Sequence, residues 1–415
     1  MKSKRTSSGR TYDVVLYGAS GFVGRQTVAY FAQHAAGLRW ALGGRAPAKL
    51  EAVRDACGAG AVAAGIVVAD ANDAKALAAL ARGTRVVLST AGPFALYGSE
   101  LVTACVKQRT HYVDITGETP WVREQIDRHH VQAGKEGTRI IPCCGFDSVP
   151  SDLGAWLVAE AMQRQHREPC IRVKACFSMR GGLNGGTLAS LLNAMASGQN
   201  RMVADPFLLN PAGARPRNAA DDADPVVPHR DADFDAWVGP FIMGPVNTRV
   251  VRRSAALLSG GRDAAYAADF HYQEYLRFGR GPVAALAAAG VSVGMTLGQG
   301  ALRFAPNRRI ASALGPGPGE GPSERTMDRG SFRCELVGRS AGGHVLRGRM
   351  SGTGDPGNRA TTKFVCEAAL ALALAPDDLP GGAAAGGVLT PATGLGTVLA
   401  ERLRAAGMTL TPLPS

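Results

Sequence analysis

The stretch Tyr12–Phe31, YDVVLYGASGFVGRQTVAYF, constrains the fold more than any other part of the chain. An apolar run, Val14-Val15-Leu16, leads into a turn with three glycines spaced by three, Gly18, Gly21 and Gly24. The pattern then lengthens into a helix. A strand that enters a helix through such a turn belongs to a βαβ unit. There Gly18 permits the tight turn, Gly21 lets the backbone approach a diphosphate, and Gly24 lets helix and strand pack closely. The rest of the turn, Ala19, Ser20, Phe22 and Val23, is expected to border the same phosphates, which the free N–H groups of the helix N-terminus attract. The competing reading is a structural turn in an α/β domain.

The surrounding pattern favours the first reading. Short β-branched runs recur at Val14–Leu16, Arg39–Leu42, Ile66–Val68, Val86–Leu88, His111–Ile115 and Arg139–Pro142, separated by alanine-rich or amphipathic stretches. Strand and helix alternating at this spacing predict a Rossmann-type parallel sheet with right-handed crossovers over residues 11–150. The second strand runs into Gly43-Gly44-Arg45, where an NAD site usually carries a carboxylate for the ribose 2′-OH. Arg45 stands there instead, with Lys49 one turn into the next helix. A guanidinium fork suits a 2′-phosphate that a carboxylate would repel, so the cofactor is expected to be NADP. Asp70, after the third strand, is either an adenine contact or a turn residue. The fourth strand ends in Thr90-Ala91-Gly92-Pro93-Phe94, beyond which the nicotinamide and its ribose are expected to pass.

The remaining 265 residues read as a second α/β domain with a mixed sheet over 151–355, then a helical segment over 356–415. Residues 1–10 read as a basic tail. A helix is expected over Ser151–Gln163, and strands over Ile171–Met179, Thr248–Arg252, Tyr266–Tyr275, Phe332–Val337 and His344–Met350. Asn210–Asp235 and 315–322 read as loops, and Thr361–Leu374 and Thr397–Ala406 as helices. Val283–Leu297 is uncharged and flanked by Arg280 and Arg303, yet shorter than the roughly 20 strongly apolar residues a spanning helix needs. A buried or interface helix is the first expectation, and a lipid-contacting hairpin the second.

Composition narrows the function classes. The formal charge is +12, but the basic residues are scattered without interleaved aromatics, which argues against a nucleic-acid partner. Eight cysteines form no Cys-x-x-Cys pair, so no metal site is expected and the chain reads as a reduced, cytoplasmic protein. The basic N-terminus lacks the apolar core of a signal peptide.

Several segments resemble the saccharopine dehydrogenase-like oxidoreductases: VVLYGASGFVGR, ALGGRAPAKL, VLSTAGPFALYG, YVDITGE and GFDSVPSDLG. The likeness is closest to the bacterial trans-acting enoyl reductase branch, to which GDPGNRATTKFVCEAALALA and GGVLTPATGLG are also similar. The resemblance covers nearly the whole chain, although an aromatic is expected where Asn358 stands. It implies an NADP-binding domain, a second α/β domain, and C-terminal helices that return to the first. It implies an acyl or lipid-like substrate, held by a carrier protein, whose double bond is reduced. Membrane or lipid-droplet association in the wider family draws interest to 283–297; peripheral contact with the plasma membrane there, and a homodimer, are separate expectations. The alternatives are a dehydrogenase of amino-acid-derived imines or ketones, and a non-catalytic lipid-associated protein that keeps the cofactor fold.

Enoyl reduction needs a hydride, a donor to the developing enolate and a proton for the α-carbon. No tyrosine has a lysine four residues on, so the Tyr-x-x-x-Lys couple is unsupported. The catalytic candidates are strand-end residues: Tyr97 beside the nicotinamide loop, then Cys144 and Asp147 after the sixth strand. Asp114, Thr116 and Glu118 follow the fifth strand, and Arg249 and Tyr272 are candidates from the second domain. Each also has a plainer reading as a packing, turn or ion-pair residue.

Overall fold

The computed structural model describes residues 9–182, 184–196, 200–216, 222–260, 263–317 and 319–412. Lys2, Lys4 and Arg5 of the expected tail lie outside these residues, as do 217–221 of the long loop and Pro318 of the second loop. Arg10 is part of the fold: its guanidinium donates to the carbonyls of Thr84 and Gln108 and to Thr110 Oγ1 at 2.7 Å.

The first unit alternates strand and helix as expected. Its elements are β1 (Tyr12–Tyr17), α1 (Phe22–His34), β2 (Trp40–Gly44), α2 (Pro47–Ala56), β3 (Gly65–Val68), α3 (Ala74–Arg82) and β4 (Thr84–Ser89). The one-turn α4 (Phe94–Tyr97), α5 (Ser99–Lys107), β5 (His111–Asp114), α6 (Thr119–Lys135) and β6 (Arg139–Ile141) complete it. Val14, Val15 and Leu16 are all buried, because helices cover both faces of the sheet and strip β1 of polar alternation. The Asp73 carboxylate starts α3 by accepting from the N–H groups of Lys75 and Ala76.

The second unit follows. It comprises α7 (Val149–His166), β7 (Cys170–Arg180), α8 (Gly185–Ala196), α9 (Asn200–Ala204), β8 (His229–Asp231), β9 (Ala236–Gly239) and α10 (Gly244–Leu258). Then come β10 (Tyr266–Gly279), α11 (Gly281–Leu302), α12 (Ala305–Leu314), α13 (Glu324–Asp328), β11 (Ser331–Ser340) and β12 (Val345–Thr353). A π turn at Pro356–Ala360 leads to α14 (Thr361–Leu374), β13 (Gly387–Val388), α15 (Pro391–Ala405) and β14 (Thr409–Thr411).

Among the described residues, each sheet has seven strands. The first runs β13-β6-β5-β4-β1-β2-β3 and is wholly parallel. The second runs β14-β12-β11-β7-β10-β9-β8 and is mixed, with β7 and β10 parallel and β11 antiparallel to β7. The α/β class with a second mixed sheet is therefore the observed architecture.

Of the C-terminal elements, α14 and β13 return to the first unit, while β14 pairs with β12 in the second sheet. β13 extends its sheet by pairing with β6, and Glu367 of α14 accepts from Tyr30 of α1 at 2.6 Å. The helix α7 packs on β11 and β12, and a methyl at Gly154 would sit 3.1 Å from Leu336.

Several expectations are corrected. Thr248–Arg252 is no strand but the middle of α10. Its β-branched run hides arginines at 249, 252 and 253, a spacing that gathers them on one helix face. All three are buried. Part of the expected loop at 210–235 forms β8. The Val283–Leu297 segment belongs to a longer helix, α11, which is not buried: its large side chains face outward.

Candidate active site

The site grows from the end of β1. Gly18 adopts φ +84°, and a methyl there would lie 2.8 Å from the Ala91 nitrogen. Only glycine therefore lets the first and fourth strand ends touch. At Gly24 a methyl would lie 2.9 Å from Ala19 Cα, so α1 presses directly on the turn. Thr90 ties the two loops together: its N–H donates to the Tyr17 carbonyl at 2.9 Å, and its hydroxyl to the Gly18 carbonyl at 3.2 Å.

The N-terminus of α1 has no side-chain cap and no acidic residue in its first turn. Its free N–H groups and positive dipole end suit a dinucleotide diphosphate. Arg45 and Lys49 are exposed, and neither forms an ion pair among the described residues. Tyr17 reports the electrostatics of this corner. Burial first, and Asp70 second, push its hydroxyl up to about 12, while Arg45 pulls the other way. Arg45 and Asp70 thus flank one spot at the ends of β2 and β3, where a 2′-phosphate fits Arg45. Asp70 itself closes a turn by accepting from the Asn72 N–H at 2.9 Å.

On the nicotinamide side, the candidates separate. Ala91, Gly92 and Pro93 line the loop beside Gly18. Phe94 turns inward onto Trp121, with ring centroids 5.7 Å apart. Its N–H and that of Ala95 are already taken by the Glu118 carboxylate, at 2.8 and 3.0 Å. Phe94 therefore offers the cofactor neither ring nor N–H. Glu118 also accepts from Ser190 of α8 at 2.9 Å, so it clamps the loop to the second unit.

Tyr97 ends α4 with its side chain exposed at the loop edge. Asp147 is partly exposed after β6. Its Oδ2 lies 3.7 Å from where a methyl on Gly117 would sit, a place also bordered by Met243, just before α10, and by Val246 within it. Burial pushes the Asp147 carboxyl up to about 6.

Cys144 is corrected as a nucleophile. It is fully buried, its thiol donates to the Ile141 carbonyl, and burial holds the thiol well above its usual range, so thiolate is not available. Asp114 is a structural clamp: its Oδ1 accepts from the N–H groups of Thr116 and Cys143, both at 3.0 Å. Arg249 and Tyr272 take their plainer readings. Arg249 is buried against Asp224, and Tyr272 donates to Glu274 at 2.9 Å.

Two features escaped the sequence. Glu274 is buried and accepts from Ser151, Asn247 and Tyr272 at 2.7, 2.7 and 2.9 Å; burial pushes it up to about 7. The second is the loop after α12. Arg25 donates to the Gly319 carbonyl at 3.1 Å, and Gly321 packs on the ring of Phe22. A segment read only as a breaker thus lies against the cofactor turn. Asn358, where an aromatic was expected, donates to Asp355 at 2.6 Å and accepts from Asn184 at 2.8 Å.

An open groove of about 500 Å³ is lined in part by Ser178, Arg180, Phe332, Arg333 and Ser351. Phe332 packs on Phe146, one residue before Asp147, with ring centroids 5.2 Å apart.

This fold and turn define an NADP-dependent oxidoreductase built on the saccharopine dehydrogenase plan. Residues 14–141 match the family model described as the saccharopine dehydrogenase NADP binding domain. The apo saccharopine dehydrogenase (L-Glu forming) of Saccharomyces cerevisiae shares the fold, with a TM-score of 0.52 over 96% of this chain and 99% of that one, at 13% identity. The full chain has nearer relatives. The trans-acting enoyl reductase of Mycobacterium bovis is 37% identical over 97% of both chains, and that of Mycobacterium ulcerans 36% identical over 98% of this chain and 99% of the other. The chain belongs to the trans-acting enoyl reductase family.

Proposed function

We propose that the protein reduces the carbon–carbon double bond of an enoyl thioester held by a carrier protein. The observation that carries this reading is full-length likeness to proteins named for that activity, joined to a cofactor turn with its geometry intact. NADPH supplies the hydride when bound.

The chain's own residues hold and shape the site. The α1 N-terminus takes the diphosphate, Arg45 takes the 2′-phosphate, and Thr90 to Pro93 back the nicotinamide side. Asp147, with its carboxyl raised to about 6, keeps a proton to higher pH than a free carboxylate and is our candidate source for the α-carbon. Tyr97 is the candidate donor to the enolate oxygen. The formal charge of +12 favours an acidic carrier as the partner that presents the acyl chain. A homodimer on the cytoplasmic side completes the proposal, to be read by sedimentation velocity.

The test is NADPH oxidation with a carrier-held enoyl chain, with the saturated acyl product identified by mass. Wild type is expected to prefer NADPH over NADH by about tenfold or more, or roughly 1.4 kcal/mol. Arg45→Glu is expected to erase that preference. Cofactor binding without a saturated product from enoyl chains of any length would leave an oxidoreductase with another substrate, and the enoyl reading would fall.

A further inference from the structure

The helix α11 is inverted relative to a surface helix of a soluble protein. Its inward stripe is small: Ala284, Ala288 and Ser292 are buried, and a methyl at Gly239 of β9 would sit 3.4 Å from Ser292 Oγ. Its large residues point out. Val283 is 80% exposed, Leu286 74% and Leu297 68%, and on the next helix Phe304 is 66% and Leu314 84% exposed. A helix that is apolar all round is normally covered on every side, and a contiguous exposed apolar surface of this kind marks an interaction face.

Charge identifies what covers it. From Gly281 to Gly319 the chain has no aspartate or glutamate, while Arg303, Arg308 and Arg309 cluster where α11 passes into α12. Arg308 is engaged with the carbonyls of Leu302 and Arg303. Arg303 and Arg309 are exposed and form no ion pair among the described residues. An apolar face beside unpaired arginines, without acidic residues, matches an anionic lipid surface: acyl chains for the leucines and phosphates for the guanidinium groups.

The described residues hold one helix long and apolar enough to cross a membrane, and it is α11. Its 22 residues reach about 33 Å. Its inner stripe, however, is packed on β9 and β10, so it lies along the protein with one face free. We infer that the α11–α12 hairpin docks this enzyme in the plane of an anionic membrane, with Leu286 and Leu297 entering the acyl region and Arg303 and Arg309 at the headgroups. The inference does not depend on which substrate is reduced.

The experiment is flotation of the full chain with phosphatidylcholine vesicles, with and without about a third phosphatidylglycerol. Wild type is expected to float with the anionic vesicles and at least about tenfold less with the neutral ones, with added salt weakening the binding. Leu286→Asp/Leu297→Asp is expected to lose at least tenfold in vesicle binding, and Arg303→Ala/Arg309→Ala severalfold. NADPH binding checks that each variant is folded. Three results would overturn the inference: wild type that stays unbound to both vesicles; a leucine double variant that floats as well as wild type; or a wild-type dimer that ignores vesicles and that the same leucine changes dissociate, which would make a second copy the true cover.

Discussion

The two sheets have equal strand counts, but they carry their chemistry differently. In the first, the site is made of backbone: a glycine at φ +84°, an uncapped helix start, a loop whose N–H groups are already spoken for. In the second, it is made of long-range polar pairs buried beneath the surface. Arg252 donates to the Tyr272 carbonyl, Arg253 to the Leu209 and Val388 carbonyls, and Glu274 collects three donors. A backbone site is intolerant of added atoms. A buried polar network is intolerant of removed partners, and its charge makes it sensitive to pH.

The largest effect is therefore expected where a side chain enters the first site. Gly18→Val adds a β-branched side chain at a left-handed φ and drives it into Ala91. NADPH affinity should fall by more than about a hundredfold, with a stability loss of about 3 kcal/mol. Cofactor titration and urea unfolding read the two terms separately. Unchanged affinity would mean that the turn does not border the cofactor.

That contrast also explains what could be read in advance. Glycine spacing, strand-end position and Arg45 are local signals, so the parallel sheet and the cofactor were legible from Tyr12 to Phe94. Arg249, Arg252 and Arg253 were not. Their partners lie 20 to 135 residues away, and the valines between them made a helix look like a strand. Glu118 was visible as a strand-end carboxylate, but nothing local showed that it faces the N–H groups of Phe94 and Ala95. The inward turn of Phe94 went unseen for the same reason. The exposure of α11 was hidden differently: an Ala- and Val-rich run looks the same whether protein or lipid covers it.

The buried network of the second unit is expected to make stability depend on pH. Glu274 is held near 7 in the fold, against 4.5 for an ordinary glutamate, chiefly by burial. The folded protein keeps a proton that the unfolded chain has already released. The resulting stabilisation is fully present below about pH 4.5 and is lost as pH rises through about 7. Glu274→Gln stays neutral throughout, and the Ser151 and Tyr272 hydroxyls can turn to accept from its amide. Between pH 5 and 8, its unfolding free energy should fall by about 1–3 kcal/mol less than that of wild type. Asp114 and Asp152, each also pushed up to about 7, should leave a residual slope. Parallel pH profiles for variant and wild type would place Glu274 outside this account.

The smallest effect is expected where the two halves meet. Ser190 belongs to α8 of the second unit, and its hydroxyl reaches Glu118 of the first. That same carboxylate orders the loop beside Gly92. Ser190→Ala removes one hydrogen bond from a carboxylate that keeps two others, so the fold and the diphosphate site should stand. NADPH affinity should change by less than about twofold, because α1 and Arg45 are untouched. The turnover number should fall about three- to tenfold, the worth of one such hydrogen bond, as α8 loosens above the nicotinamide loop. Ser190→Thr, which keeps the hydroxyl, should recover most of it. A loss in NADPH affinity equal to the loss in turnover would place Ser190 with the backbone site. No change in either would mean that α8 only roofs the nicotinamide loop, and that the second unit reaches the chemistry through α10 alone.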